Sequence, residues 1–361
     1  MKKLLLLAVL ILPLAACGET SEEAQSIDDD AEKLQVYTTV YPLTYFTERI
    51  AGDLVDVQSI YPAGSNEHTF EPTQQDMIKL ADADLMFTVG LGLEGFIDSA
   101  KKTLQNENVE FVATADNISD EELEEALGHV HEEDAHSEEA HDEEAHGEEA
   151  HSDEAHDEEA HGEEAHSDEA HDEEAHSEDG SHDGHDHGST DPHVWMSPML
   201  SEKLAESIKD SLTAADPENA ETYESNYTEL VVELETLDRS FEALSERVSR
   251  DTFFVSHAAF SYLSEPYGFE QVAVAGLNSQ DEPSQKELTE IVDLAKEKDI
   301  QYIVFEQNVS SNLTEVIQNE VGAEAIQMHN LGVLTQENIN NEETYFTLME
   351  KNLQVLETVL K

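Results

Sequence analysis

Apolar and polar positions along the first part of this chain predict strands that alternate with helices. Short β-rich runs cover residues 34–40, 54–60, 85–89 and 110–113, and segments with helical spacing cover 74–83 and 96–104. Tyr41-Pro42 ends the first run, and Tyr61-Pro62 ends the second. Strands that alternate with helices are typical of βαβ units on a parallel sheet. We therefore expect an α/β lobe in this part of the chain.

The last third of the chain repeats the same alternation. Strands are predicted at 252–255, 271–275, 303–305 and 325–328, and helices at 258–267, 284–298, 312–321 and 344–360. This region has about the size of the first, so the pattern predicts a second α/β lobe.

A long amphipathic helix is predicted between these two regions. One helix should cover 197–214, and Asp216 with Pro217 then resemble the N-cap and first position of another. Apolar residues step by three or four from Tyr223 to Val248. A helix over 217–248 would be roughly 48 Å long at 1.5 Å per residue, which is enough to connect two lobes.

Residues 129–187 break the pattern, because their apolar residues are nearly all alanines. The run contains 26 Asp or Glu residues and no Lys or Arg. It also holds 14 of the chain's 18 histidines: His129, His131, His136, His141, His146, His151, His156, His161, His166, His171, His176, His182, His185 and His187. Such a run cannot bury a core, so we expect a disordered loop inserted in the first lobe.

These histidines indicate a protein that handles a transition metal, since neutral imidazole is the commonest metal ligand. From His136 to His176 a histidine recurs every fifth residue. A period of five does not match the 3.6 residues of a helical turn, so no single ligand face forms. We interpret the run as an accessory collector of weakly bound metal ions.

The formal net charge of −67 argues against nucleic acid as a partner, because phosphate backbones select basic surfaces. The His-rich run supplies 26 of the negative charges. An acidic balance of this size fits a chain that stays soluble at high salt or high pH, and composition alone does not choose between them.

The N-terminus predicts a lipid-anchored, exported protein. Lys2 and Lys3 precede an apolar stretch over residues 4–12 that is too short to span a bilayer permanently. The segment before Cys17, the only cysteine, resembles the lipobox of bacterial lipoproteins, which implies lipidation at Cys17. The predicted organisation is a signal peptide over 1–17, a tether over 18–33, a first lobe over 34–216, a linking helix over 217–248 and a second lobe over 249–361.

Four histidines lie outside the run: His68, His193, His257 and His329. Each of the first three sits where a predicted strand gives way to a loop or helix. In open α/β sheets, ligands bind beyond the carboxyl ends of the strands. Three imidazoles from two lobes can therefore converge between them, and three histidines with one further ligand form a familiar zinc set.

The flanks of these histidines carry a family resemblance. The motifs are Asn66-Glu67-His68-Thr69-Phe70-Glu71-Pro72-Thr73, Gly90-Leu91-Gly92-Leu93-Glu94-Gly95-Phe96, Asp191-Pro192-His193-Val194-Trp195, Val255-Ser256-His257-Ala258-Ala259-Phe260, Glu282-Pro283-Ser284 and Phe305-Glu306-Gln307-Asn308. From Leu34 onward the chain resembles the metal-binding lipoproteins of bacterial ABC importers for zinc and manganese. The resemblance implies two (β/α) lobes joined by one long rigid helix, with the metal in the cleft between them.

The resemblance also implies the ligands. His68, His193 and His257 match the family's three metal histidines, and His257 stands where manganese-type members carry a carboxylate. Nitrogen ligands favour Zn²⁺ over Mn²⁺. Relatives usually place an acidic residue in the loop matching 329–335, where this chain has Gly332. Water is the first choice for the fourth ligand, and Glu306, Glu67 and His329 are the other candidates, with Glu306 expected to support a metal-bound imidazole.

The expected function is capture of extracytoplasmic Zn²⁺ by a lipid-anchored monomer that delivers it to an ABC permease coupled to a cytoplasmic ATPase. Alternatives are a surface metal buffer or adhesin that uses the His-rich run, and a manganese-binding protein. The sequence does not exclude Cu or Ni. An enzyme is not expected, because the zinc-protease motif His-Glu-x-x-His is absent from the sequence.

Overall fold

The computed structural model describes residues 33–128, 190–308 and 312–361. The predicted signal peptide, Cys17, nearly all of the tether and the whole His-rich run lie outside the described residues. Within the described part of the chain, no helix is both long and apolar enough to cross a membrane.

The first lobe is built on four strands and their connecting helices. Its elements are β1 (Leu34–Thr38), α1 (Tyr41–Ala51), β2 (Val55–Ser59), α2 (Gln74–Ala81), β3 (Leu85–Thr88), α3 (Ile97–Thr103), β4 (Glu110–Ala113) and α4 (Asp120–Ala126). All strand pairs are parallel, in the order β2-β1-β3-β4. The predicted strands are present, with bounds that differ by a few residues.

Helix α1 was not predicted from the sequence. Pro42 was taken as the end of a strand, but it lies in the first turn of α1, where its missing N–H has no intrahelical partner to lose. The buried face of α1 includes Leu43, Phe46 and Ile50. Pro42 therefore marks the beginning of α1, where the sequence pattern had indicated only the end of the first strand.

The second lobe repeats the arrangement of the first. Its elements are β5 (Thr252–His257), α7 (Ser261–Ser264), β6 (Glu270–Ala275), α8 (Gln285–Glu297), β7 (Tyr302–Glu306), α9 (Asn312–Val321), β8 (Glu324–Met328), α10 (Gln336–Asn340) and α11 (Tyr345–Val359). Its strands are parallel in the order β6-β5-β7-β8. Two parallel α/β sheets confirm the predicted fold class.

Helices α5 (Pro198–Ala215) and α6 (Ala220–Ser245) lie in sequence between the two sheets. The 26 residues of α6 give a rod of about 39 Å, shorter than the predicted 48 Å. Residues Pro217–Asn219 form a 3₁₀ turn instead of the first turn of α6. The Asp216 carboxylate accepts hydrogen bonds from the side chains of Asn219 and Tyr223, so Asp216 does not cap α6 as predicted.

The larger of two hydrophobic clusters runs through both lobes, and the smaller lies within the second lobe. The apolar face of α6, including Leu230, Leu237 and Phe241, is buried in the same cluster as Val36 of β1 and Val255 of β5. Close packing of this kind resists sliding of one lobe over the other. The carboxyl ends of the strands are therefore held in a fixed relation, and the candidate ligands lie there.

Candidate metal centre

His257 is the last residue of β5. This strand lies inside the second sheet, between β6 and β7. In open parallel sheets, ligands bind beyond the carboxyl ends of the strands at the point where the strand order reverses, because the connections of the neighbouring strands leave there on opposite faces of the sheet. The side chain of His257 is fully buried. Its Nε2 atom is buried and has no hydrogen-bond partner among the described residues.

His193 and His68 come from loops of the first lobe. His193 precedes a 3₁₀ turn at Val194–Met196 and is fully buried. His68 lies in the loop between β2 and α2 and is half-buried. In both loops an Asx side chain two residues earlier accepts the histidine N–H, with Asp191 Oδ1 and Asn66 Oδ1 each at 2.9 Å. These local turns fix the backbone at each histidine.

The structure brings these three histidines together. One ring nitrogen from each of His68, His193 and His257 lies within 4.8 Å of the other two. The Nε2 atoms of His68 and His193 are 3.2 Å apart, and the three ring centroids are separated by 5.0 to 5.3 Å. Three imidazole nitrogens that face one point can coordinate a single tetrahedral ion and leave its fourth position open.

Two of these imidazoles are oriented by buried carboxylates. Asp191 Oδ1 lies 2.7 Å from Nδ1 of His193, and Glu306 Oε2 lies 2.7 Å from Nδ1 of His257. A carboxylate accepts the Nδ1 proton, so the Nε2 lone pair points into the site. Glu306 also accepts hydrogen bonds from the His257 backbone and from Ser256 Oγ.

Charge and burial separate the proton affinities of the histidines. Burial, aided by the neighbouring His193 and His257, lowers the pKa of His68 to about 3. Burial also lowers the pKa of His257, but the Glu306 carboxylate outweighs it, and the net pKa lies above the ordinary value. His68 is therefore neutral and ready to bind a cation over the whole physiological range.

Glu67 is a buried carboxylate beside the three histidines, although its oxygens are not part of their convergent set. Burial raises the pKa of Glu67. Asn330 Nδ2 donates to Glu67 Oε1 at 2.8 Å and lies 3.2 Å from Glu306 Oε2, so one amide links the two carboxylates. A Cβ atom placed on Gly332 would lie 2.5 Å from Glu67 Oε1. Glu67 therefore fills the space that a side chain at position 332 would enter.

His329 does not turn toward the three histidines. Its Nδ1 atom accepts the Leu331 N–H at 2.8 Å, and its Nε2 atom lies 3.2 Å from Asn338 Oδ1. With both ring nitrogens engaged, His329 has no lone pair to offer a metal, which argues against its candidacy as the fourth ligand. Its role is to shape the loop over residues 329–335.

The neutral state of His329 predicts a pH-dependent stability. Burial lowers its pKa to about 4, below the unfolded value near 6.5, so the unfolded chain binds the extra proton between these pH values. The contribution of the neutral His329 to the free energy of unfolding is fully present above pH 6.5 and is lost as the pH falls toward 4. When the pH falls from 6 to 5, the free energy of unfolding of the His329→Gln variant should decrease by about 1 kcal/mol less than that of the unmodified protein.

Urea denaturation at pH 8, 7.5, 6 and 5 measures this difference. Between pH 7.5 and 8 the two proteins should show the same change, because His329 does not titrate there. Parallel stability curves from pH 6 to 5 would contradict the assignment of a buried neutral imidazole.

Asp191 and Asn330 are site residues that the sequence reasoning did not single out. The signal for Asp191 was available, because an Asx residue two positions before a histidine is typical of an Asx turn. Asn330 had no such signal, since it contacts Glu67 from 263 residues away. The fourteen histidines of the run, also predicted to bind metal, lie outside the described residues.

Comparison with known proteins fits this arrangement. A family model described as the periplasmic zinc-uptake complex component A, ZnuA, matches residues 36–359. The chain belongs to this family. Membership confirms the resemblance that the histidine motifs indicated.

Individual members of the ZnuA family align along nearly the whole chain. It is 31% identical to the "High-affinity zinc uptake system protein ZnuA" of Bacillus subtilis, covering 99% of this chain and 97% of that protein. It is 32% identical to the "Zinc-binding protein AdcA" of Streptococcus pyogenes, again over 99% of this chain. It spans only 61% of the length of that streptococcal relative.

A solved structure of the family has the same fold. The Zn(II)-bound ZnuA-like domain of Streptococcus pneumoniae AdcA superposes with a TM-score of 0.64 at 28% identity, covering 91% of this chain and 99% of that one. The match supports the two-lobe fold independently of the histidine motifs.

Proposed function

We propose that this chain captures Zn²⁺ outside the cytoplasmic membrane and delivers it to the permease of an ABC importer. The observation that carries the proposal is the convergence of His68, His193 and His257, whose ligand nitrogens lie within 4.8 Å of one another. The names of the ZnuA and AdcA relatives, which describe zinc uptake and zinc binding, support the same cargo. The permease is the partner that such a family implies.

Zinc is favoured over manganese by the donor atoms. Three imidazole nitrogens suit Zn²⁺, whereas Mn²⁺ prefers carboxylate, carbonyl and water oxygens. In the proposed site the Nε2 atoms bind the ion while Asp191 and Glu306 hold the Nδ1 protons of His193 and His257. By accepting the Nδ1 protons, the two carboxylates keep each ring oriented with its Nε2 atom toward the ion.

For the fourth position we propose Glu67, or a water molecule that it holds. Its carboxylate occupies the space next to Gly332, where relatives usually carry an acidic side chain. The positive charge of a bound ion would offset the burial that raises the pKa of Glu67. The negative charge is then supplied from the loop of His68 and not from the loop over 329–335.

A capture role fits these residues better than catalysis. Asp191 and Glu306, which orient the imidazoles, are buried and bound to histidine protons. Each contacts the Nδ1 atom of its ring and not the Nε2 atom that would face the metal, so it is poorly placed to take a proton from a metal-bound water. Hydrolysis of generic esters or peptides by the zinc-loaded protein, lost on chelation, would instead support an enzyme.

We propose that residues 129–187 collect zinc weakly and that lipidation at Cys17 keeps the protein at the membrane. The acidic side chains of the run raise the local cation concentration, and its imidazoles bind without a fixed geometry. The three-histidine site then selects the ion.

Deletion of residues 129–187 tests this division of roles. The shortened protein should keep one tight zinc site with an affinity within about threefold of the full chain, because none of the three histidines lies in the run. Only additional weak sites should disappear. Competition titration with a chelator measures affinity and stoichiometry, and parallel titrations with Mn²⁺, Cu²⁺ and Ni²⁺ measure selectivity.

The same deletion combined with His257→Ala is the control, and it should abolish tight binding. If the shortened protein has no tight site, the run is the main binding element and the proposal is wrong. If the shortened protein binds Mn²⁺ more tightly than Zn²⁺, the proposal that zinc is the transported ion is wrong.

A further inference from the structure

A cavity of about 410 Å³ lies at the seam between the two lobes, apart from the three histidines. Helix α1 and the end of β2 form one wall, with Tyr41, Tyr45, Glu48 and Tyr61. The second lobe forms the other wall with Ile339, Glu342 and Glu343. Its volume is that of a site for a small molecule or a long side chain.

Its lining combines aromatic rings with negative charge. It contains three tyrosines and three glutamates, and no Lys or Arg is among the described residues that line it. Glu48 and Glu342 are exposed, although partial burial of its carboxyl group raises the pKa of Glu48, and Glu343 pairs with Lys351. Rings and carboxylates together attract an organic cation, since the ring face and the carboxylate both carry negative potential.

A metal ion is a poor fit for this cavity. Among residues 33–128, 190–308 and 312–361, only the three histidines bring three ligating side chains to one point. The glutamates of the cavity do not converge in that way. A planar guanidinium group needs no such convergence, because it stacks on a ring and donates hydrogen bonds in its own plane.

The protein already contains one such contact at the same tyrosine. The guanidinium carbon of Arg49 lies 5.7 Å from the centre of the Tyr45 ring, and its Nη1 atom donates to the Tyr45 hydroxyl at 2.9 Å. Arg49 also pairs with Glu233 on α6. Tyr45 is therefore already engaged by a guanidinium group of the protein itself, and Tyr41 and Tyr61 are the other rings that line the cavity.

The position of the cavity connects it to the metal centre. The Tyr41 N–H donates to the Gly332 carbonyl at 2.9 Å, and the Gly332 N–H donates to Asn330 Oδ1 at 3.1 Å. Asn330 in turn binds Glu67 and Glu306. A partner seated here would touch both lobes directly behind the loop over 329–335, which contacts the carboxylates beside the three histidines through Asn330.

We propose that this cavity, named here the seam pocket, receives a guanidinium side chain presented by the membrane permease that accepts the metal. The pocket offers rings and unpaired carboxylates to a cation, and the strongly acidic chain favours a basic partner. The identity of the partner rests on the proposed transport function, whereas the binding of a guanidinium group does not.

Titration of the full chain with ethylguanidinium tests the pocket itself, with the aromatic proton signals of the tyrosines as the readout. The protein should show one saturable site. Glu48→Gln combined with Glu342→Gln should weaken it by at least about fivefold, because two exposed carboxylates are neutralised. The matched control is Glu282→Gln combined with Glu290→Gln, which removes the same charge from the exposed rim of a groove beside α8. Shifts that do not saturate, or equal affinity in both double variants, would overturn the proposal.

Zinc uptake by cells tests the partner. The Glu48→Gln, Glu342→Gln protein should bind zinc as tightly as the unmodified protein but support slower uptake when zinc is scarce. Unchanged uptake would overturn the assignment to the permease. If the unmodified protein binds no zinc tightly, the transport function fails, and the ethylguanidinium titration still decides whether the seam pocket binds a cation.

Discussion

Replacement of His257 with alanine is expected to weaken zinc binding by at least about a hundredfold. The substitution removes one of three convergent nitrogens and leaves the buried Glu306 carboxylate without the imidazole that it holds at 2.7 Å. An unpaired buried carboxylate adds its own cost to the metal-free protein. Competition with a chelator at pH 7.5 measures the loss, and far-UV circular dichroism shows whether the variant is folded.

His156→Ala is the matched control for this substitution. It removes the same side chain from the middle of the His-rich run, so the tight site should bind zinc with unchanged affinity. If His257→Ala binds within about threefold of the unmodified protein, His257 is not a ligand. If His156→Ala has the larger effect, the run contains the tight site.

The second large effect is expected at Gly332. Its φ is not in the left-handed region, so alanine is allowed by the backbone. The new Cβ would nevertheless lie 2.5 Å from Glu67 Oε1 and 2.7 Å from its carboxyl carbon. Glu67 is buried and bound to Asn330, so it cannot move aside without losing that bond. Gly332→Ala should lower the free energy of unfolding by about 2 to 3 kcal/mol.

A double-mutant cycle with Glu67→Ala separates this steric effect from other causes. When Glu67 is shortened, the clash disappears, so the double variant should be more stable than the sum of the single changes predicts. Gly95→Ala is the control, because nothing lies within 4 Å of a Cβ at that position, and it should change stability by less than about 0.5 kcal/mol. Urea denaturation measures all five proteins, and strictly additive effects would contradict the assignment.

The alternation of strands and helices was predictable because buried parallel strands have continuous apolar runs. The strand β3 is buried throughout and was predicted to within one residue. Helix α1 was missed because Pro42 was interpreted as a break. The same physical property of proline, its missing N–H, allows it to begin a helix, and only the packing of Leu43, Phe46 and Ile50 decides between the two.

The three histidines were also predictable, because each follows a strand or loop at the carboxyl edge of a sheet. The residues around the fourth ligand position of the metal were not predictable. Whether Glu67 or a residue of the loop over 329–335 stands nearest the histidines depends on how two segments more than 260 residues apart pack together. Local sequence patterns carry no signal for such a contact, whereas Asp191 could have been found from its spacing to His193.

The separation of the ligands along the chain has a consequence for when the metal can enter. His68 and His193 are 125 residues apart, and His257 belongs to the second sheet, so the site does not exist until both sheets have formed. A polypeptide that crosses a membrane in an unfolded state cannot carry an ion in this site. If the predicted signal peptide directs export of the unfolded chain, zinc can enter the site only after export, and occupancy then records the metal available on the outer side of the membrane.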